Sequence, residues 1–157
     1  YPSEHLAAWT TEYERSFSPG AIGENLTVAG GSEAAVCVGD VWGWGDALLQ
    51  VTQPRQPCYK LALQMDLADL PSRFEKLGRC GWYMRVLRAG VVPVAGPIVV
   101  VERDGAGISV LDAQRAARRD GGLSAAACHA VAAHPALGAS WRARVVDRLG
   151  GVVEGAR

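Results

Sequence analysis

The chain has 157 residues, 49% hydrophobic and 20% charged, with Lys+Arg and Asp+Glu equal at 16 each. This is globular composition, with room for one domain or a small domain plus an appendage, and it excludes a disordered chain. Zero net charge removes any global electrostatic case for a nucleic-acid partner or an acidic membrane surface. No apolar run approaches the length that crosses a bilayer, and no basic-then-apolar signal opens the sequence. The four cysteines, Cys37, Cys58, Cys80 and Cys128, are too widely spaced for a small disulfide framework and read as reduced thiols of a cytoplasmic protein. Acidic residues predominate up to residue 107 and basic ones after it, which supports a boundary there.

In chain order, Leu6, Trp9 and Tyr13 fall at helical intervals and predict a helix over Ser3 to Phe17, with Ser3 as its N-cap and Ser18-Pro19-Gly20 as its stop. Short strands are expected at Glu24 to Val28, Ala34 to Val38 and Val41 to Trp44, separated by glycine turns, and a fuller one at Ala47 to Gln53. The pair Pro54 and Pro57 ends that strand. Helices follow over Tyr59 to Met65 and from Pro71 to a Gly78 cap. Strands resume at Trp82 to Arg88, Val91 to Ala95 and Pro97 to Glu102, a pattern of short strands that suggests a barrel or sandwich. From Ile108 the pattern is helical. Ser109 with Asp112 makes a capping box for a helix to Asp120, Ser124 caps a second helix ending before Pro135, and Ser140 opens a third carrying Trp141, Val145 and Leu149 on one stripe.

Two segments carry chemistry. In Gln53-Pro54-Arg55-Gln56-Pro57-Cys58-Tyr59-Lys60, a thiol is held between prolines and flanked by Arg55 and Lys60, cations that favour the thiolate, the form that attacks electrophiles or binds soft metals. Taken alone, the segment fits Cys58 as a buried small hydrophobe better than as a reactive thiol. In Gly20-Ala21-Ile22-Gly23-Glu24-Asn25-Leu26, two glycines let backbone approach a ligand while Glu24 and Asn25 supply polar groups, although for the segment alone an ordinary β-turn is the better explanation. It matches neither a phosphate loop nor a dinucleotide fingerprint. Histidines 5, 129 and 134 are not spaced as zinc ligands with any cysteine. His129 and His134 read as helix-surface or capping residues. Arg142, Arg144 and Arg148 read as a solvated helix face rather than a DNA-recognition helix.

Taken in order, Gly20-x-x-Gly23-Glu24-Asn25-Leu26-Thr27, Val36-Cys37-Val38-Gly39-Asp40, Leu49-Gln50-Val51-x-Gln53-Pro54-Arg55-x-Pro57-Cys58 and Gly81-Trp82-Tyr83-x-Arg85-Val86-Leu87 resemble the MOSC domain, named for the C-terminal module of molybdenum-cofactor sulfurases. The resemblance is strongest to the bacterial YiiM-type subgroup, associated with resistance to 6-N-hydroxylaminopurine and hence with detoxification. It covers residues 1 to about 107, and residues 108–157 resemble the three-helix extension of that subgroup. The resemblance implies a mainly β, barrel-like MOSC fold with short helices, followed by a small three-helix bundle. It implies a molybdenum cofactor (molybdopterin), with Cys58 as catalytic residue and molybdenum ligand and with Glu24, Asn25, Gln53, Arg55, Tyr83 and Arg85 around the cofactor. The family pattern also carries a His-Gly-Gly-type stretch ahead of the Tyr-Pro-x-Glu-His matched by Tyr1 to His5, so part of the barrel and anion site is expected outside this sequence.

The activity so implied is reduction of N-hydroxylated bases or related N-oxygenated compounds, with electrons from a separate flavin or iron–sulfur reductase, because the chain has no cysteine cluster to relay them. Two alternatives are a sulfur carrier, with a Cys58 persulfide received from a cysteine desulfurase, and a non-catalytic cofactor-binding module whose helices dock a partner.

Overall fold

The computed structural model describes residues 1–150 of the chain, so the last seven residues of the expected extension lie outside the described residues. The chain divides into two compact units, Tyr1–Glu33 with Arg55–Gly81, and Ala34–Pro54 with the residues from Trp82 onward. The boundary expected near residue 107 falls within the second unit.

The first unit is built on helices α1 (Ser3–Tyr13), α2 (Tyr59–Met65) and α3 (Leu70–Leu77). Its core gathers Leu6, Trp9, Phe17, Ile22, Leu61, Met65, Leu70 and Phe74. The indole of Trp9 stacks on the Phe74 ring at 5.0 Å and 3°. Both rings are fully buried. The Trp9 Nε1–H donates to the Tyr1 hydroxyl at 2.8 Å, and that hydroxyl donates to the Arg79 carbonyl at 2.8 Å. Burial pushes the Tyr1 phenol well above the ordinary tyrosine range.

Helix α1 is shorter than its periodicity predicts. It stops at Tyr13, where Glu14 takes a left-handed conformation, and Thr10 Oγ1 then accepts the Phe17 amide, which draws the exit chain back toward the helix. Pro2 rather than Ser3 occupies the N-cap, and Ser3 donates to Glu4 instead. Gly78 caps α3 as expected.

The second unit holds an antiparallel sheet in the order β3-β2-β1-β4, with β1 Val41–Trp44, β2 Ala47–Pro54, β3 Trp82–Arg88 and β4 Val99–Glu102. Three helices follow: α4 (Val110–Ala116), α5 (Ala125–Ala133) and α6 (Ala139–Gly150). Their shared core contains Val38, Ala113, Ala116, Cys128, Val131, Leu137, Trp141 and Val145. Ser109 Oγ accepts the Asp112 amide at 3.0 Å and Ser124 Oγ accepts the Ala127 amide at 3.2 Å, the two caps that the sequence announces. Helix α4 ends at Ala116, short of the expected Asp120. Val86 and Leu87 on edge strand β3, and Val99 and Val101 on edge strand β4, are exposed.

Among the described residues the architecture is therefore a four-stranded antiparallel sheet with six helices, the expected combination of short strands and a helical C-terminal part. Three expected strands do not form. Glu24 to Val28 makes only an isolated bridge, from Val28 to Pro2, with Val28 N donating to the Tyr1 carbonyl at 2.9 Å, while the Glu24 carboxylate turns back to accept Gly20 N at 2.8 Å, Ile22 N at 3.2 Å and Thr27 Oγ1 at 3.1 Å. Ala34 to Val38 makes only an isolated bridge from Cys37 to Ser109, because the buried Asp40 carboxylate takes the Cys37 amide at 3.1 Å. Val91 to Ala95 is irregular, since Pro93 has no amide to give a ladder and Val91 spends its carbonyl on the Asp46 amide.

Because Phe74 is fully buried against Trp9, Phe74→Ala should destabilise the chain by about 3–5 kcal/mol. Urea unfolding followed by tryptophan fluorescence would check this, and a loss below about 1 kcal/mol would contradict this packing.

Candidate functional site

Within the first unit, Cys58 is the N-cap of α2, in extended conformation directly after the buried Pro57, and its thiol is exposed. The reading that the segment alone favours, a buried small hydrophobe, is thus overturned. Two prolines with fixed φ end the preceding strand and present residue 58 at a helix start, where its side chain faces no core. Cys80 and Cys128, by contrast, are buried, and Cys37 is half-buried. Burial, then the charge of Glu33, pushes the Cys80 thiol far above the ordinary thiol range, and burial followed by Asp40 raises Cys37. Neither is suited to nucleophilic work.

Arg55, three residues before Cys58, is anchored at two points. Its amide donates to the Gly81 carbonyl at 3.0 Å and its Nη2 donates to the Ile22 carbonyl at 2.6 Å. Its Nη1 is buried with no hydrogen-bond partner. Ile22 belongs to the Gly20–Glu24 turn, so the second motif does meet the first here. Glu24 folds its carboxylate back onto the turn's own amides rather than outward, so it shapes the turn. Gln64 of α2, not singled out by the sequence, holds the same turn by donating from Nε2 to the Ala21 carbonyl at 2.8 Å. Asn25 is exposed.

The remaining expected site residues belong to the second unit. Gln53 lies on β2, accepts the Ser140 hydroxyl at 3.3 Å and packs so closely on Gly138 that a Cβ there would come within 1.9 Å of its Oε1. Tyr83 and Arg85 are on edge strand β3, exposed, and Arg85 donates to the Ala136 carbonyl. Gln53 and Arg85 therefore hold the start of α6 and the turn before it. The structure brings Glu24, Arg55 and Cys58 together in one unit, and Gln53, Tyr83 and Arg85 in the other.

Other expectations change as well. His134 caps α5 but is buried, with Nε2 3.0 Å from Asp104 and Nδ1 accepting the Ala136 amide. Arg142 and Arg148 are not a solvated face. Arg142 donates to the Ala132, His134 and Leu137 carbonyls, and Arg148 to the Ala116 and Leu123 carbonyls and the Cys128 sulfur. The carbonyls at helix ends need such donors, and a five-donor guanidinium reaches several at once.

A molybdenum cofactor carries an anionic phosphate and a soft-ligand metal. The buried, unpartnered Arg55 Nη1 is a donor suited to such an anion, and the exposed Cys58 thiol is a soft ligand. Among the described residues no group of three His, Cys, Asp or Glu side chains could hold a metal ion. No described helix is long and apolar enough to cross a membrane.

Residues 1–99 match the MOSC domain family. The chain is 40% identical over 152 residues to the uncharacterized protein YflK of Bacillus subtilis, covering 95% of this chain and 68% of that protein. It is 37% identical over 122 residues to a protein named reductase from Gibberella moniliformis, a match that covers 75% of this chain but only 22% of that one. The crystal structure of YiiM from Geobacillus stearothermophilus superposes with a TM-score of 0.90 at 45% identity, over 95% of this chain and 76% of that chain.

With one exposed thiol, the native chain should react at one site with a small alkylating reagent, rapidly, while Cys80 and Cys128 react only on unfolding. Peptide mapping of the label would check the assignment. Fast labelling of Cys80 in the native state would contradict the burial described.

Proposed function

The chain belongs to the MOSC domain family, and we propose that it binds a molybdenum cofactor through Arg55 and Cys58 and reduces N-hydroxylated bases or related N-oxygenated compounds. The observation that carries this reading is the pairing, within three residues, of an exposed thiol and a buried guanidinium nitrogen that has no partner in the chain. A buried charged donor left unpaired costs more than the roughly 1–3 kcal/mol of a neutral one, a cost that a bound anion offsets. The relative named reductase adds support for redox chemistry in this family.

In this reading residues 1–107 form the MOSC domain and the residues from 108 onward its extension, helical over the described residues to 150. Cys58 offers its sulfur to the metal, and Arg55 binds the cofactor's anionic part, its side chain oriented by the Ile22 carbonyl. Glu24 and Gln64 keep the turn that presents that carbonyl. Asn25, exposed on the same turn, and Gln53, Tyr83 and Arg85 are further proposed contacts. When bound, the cofactor supplies two-electron oxygen-transfer chemistry. Reduction of an N–OH group consumes two electrons and two protons, cleaves the N–O bond and releases water. The electrons come from a separate flavin or iron–sulfur reductase, for the chain has no cysteine cluster of its own.

The exposure of Cys58 also suits a sulfur carrier, because a cysteine desulfurase must reach the thiol that it loads. Metal and pterin analysis of the intact protein, purified from cells that make the cofactor, separates the readings. Stoichiometric molybdenum that is lost in Cys58→Ala, together with a fall of at least about 100-fold in reduction of a hydroxylamino base, supports the reductase. A cyanide-labile sulfur on Cys58 without metal supports the carrier. If Cys58→Ala alters neither, both fail.

A further inference from the structure

We propose that Glu33, held by His5, is a positioning residue that sets the Arg55 guanidinium through the Gly81 peptide; the inference rests on the reading of Arg55 as a cofactor-anion contact. Glu33 is 3% exposed, and nothing in the proposed chemistry uses it. One carboxylate oxygen lies 2.7 Å from His5 Nε2, and the other accepts the Gly81 amide at 2.7 Å in a buried bond. The carbonyl of the same residue, Gly81, accepts the Arg55 amide at 3.0 Å. Glu33 and Arg55 thus grip Gly81 through its N–H and its C=O.

Gly81 itself cannot drift. Its φ of +70° suits glycine alone, and a Cβ there would come within 2.6 Å of Tyr1 Cδ2. Tyr1 is in turn fixed by the Trp9 and Arg79 hydrogen bonds and meets the His5 ring edge-on at 5.7 Å. The backbone of Arg55 is therefore fixed at the Glu33 end, and its guanidinium at the other, where Nη2 meets the Ile22 carbonyl. Ile22 gives its amide to Glu24. Two carboxylates that need not touch a ligand consequently define where Arg55 starts and where it ends. The product is one guanidinium nitrogen held buried and unpaired. Outer residues of this kind typically change ligand affinity by 10–100-fold when removed.

A merely structural Glu33 would lower stability without reference to Arg55, so the test is a double-mutant cycle on the intact protein from cofactor-making cells. Molybdenum and pterin content per chain is measured for wild type, Glu33→Ala, Arg55→Ala and the double variant, alongside thermal midpoints. The expected result is that each single variant retains about tenfold less cofactor, that the double variant is no worse than Arg55→Ala, and that Glu33→Gln, whose amide oxygen still accepts the Gly81 N–H, restores retention. Should Glu33→Ala not fold, His5→Ala enters the same cycle and is expected to show the same non-additivity. Additive losses, or a loss in Glu33→Ala that tracks only the thermal midpoint, overturn the positioning role while leaving Arg55 as a contact. Unchanged cofactor content in Arg55→Ala overturns the reading of Arg55 and the inference with it.

Discussion

A carboxylate removed from water must find its hydrogen bonds inside the protein, and each unit of this chain is organised around one that does so. In the first unit Glu33 takes His5 and the Gly81 amide. In the second, Asp40 is fully buried and accepts the amides of Cys37 and Asp104 together with Arg103 Nη1 at 2.8 Å. Neither lies in a helix, and both hold irregular chain in place. The segments they bind have no ladder or helix to satisfy their amides, so the carboxylates stand in for secondary structure. Packing around them is then decided by apolar residues far apart in sequence, as where Trp9 of α1 meets Phe74 of α3.

The same interactions explain which elements were legible in the sequence. The strands at residues 41, 47 and 82 alternate in short runs bounded by turn residues, and all three form. The caps Ser109 and Ser124 were legible because an N-cap bond spans only three residues. The strands expected over Glu24 to Val28 and Ala34 to Val38 have comparable apolar patterns, yet the first makes only a bridge from Val28 to Pro2, and in the second the Asp40 carboxylate holds the Cys37 amide. Side-chain competition for backbone donors is invisible to a hydrophobic pattern, since an aspartate in a turn reads the same whether it caps, binds or merely faces water.

The site was legible in part. The order of motifs singled out Cys58 and Arg55, and the two prolines correctly marked the end of the strand that precedes the thiol, which itself sits at the start of α2. What they did not reveal is exposure, because the segment alone pointed to burial and the structure places the thiol outside. Nor could spacing reveal that Gln53 rests on Gly138, or that Arg85 reaches the Ala136 carbonyl, contacts that span more than fifty positions. Glu33 and His5 were missed for a similar reason. Neither lies in a segment that suggests chemistry by itself, and their importance comes from the Gly81 peptide that joins them to Arg55.

The two chemical readings of Cys58 make different demands on its surroundings. A sulfur carrier needs an accessible thiol and little else, because its load arrives and leaves by exchange at the sulfur. It gives no reason to bury a guanidinium nitrogen nearby without a partner. That arrangement costs stability in the free chain. The two ends of Arg55 are fixed, by Gly81 and by Ile22. A nitrogen held in this way is a preorganised donor, which suits a resident anionic group better than a passing sulfur. The thiol admits both chemistries; the arginine beside it favours the cofactor.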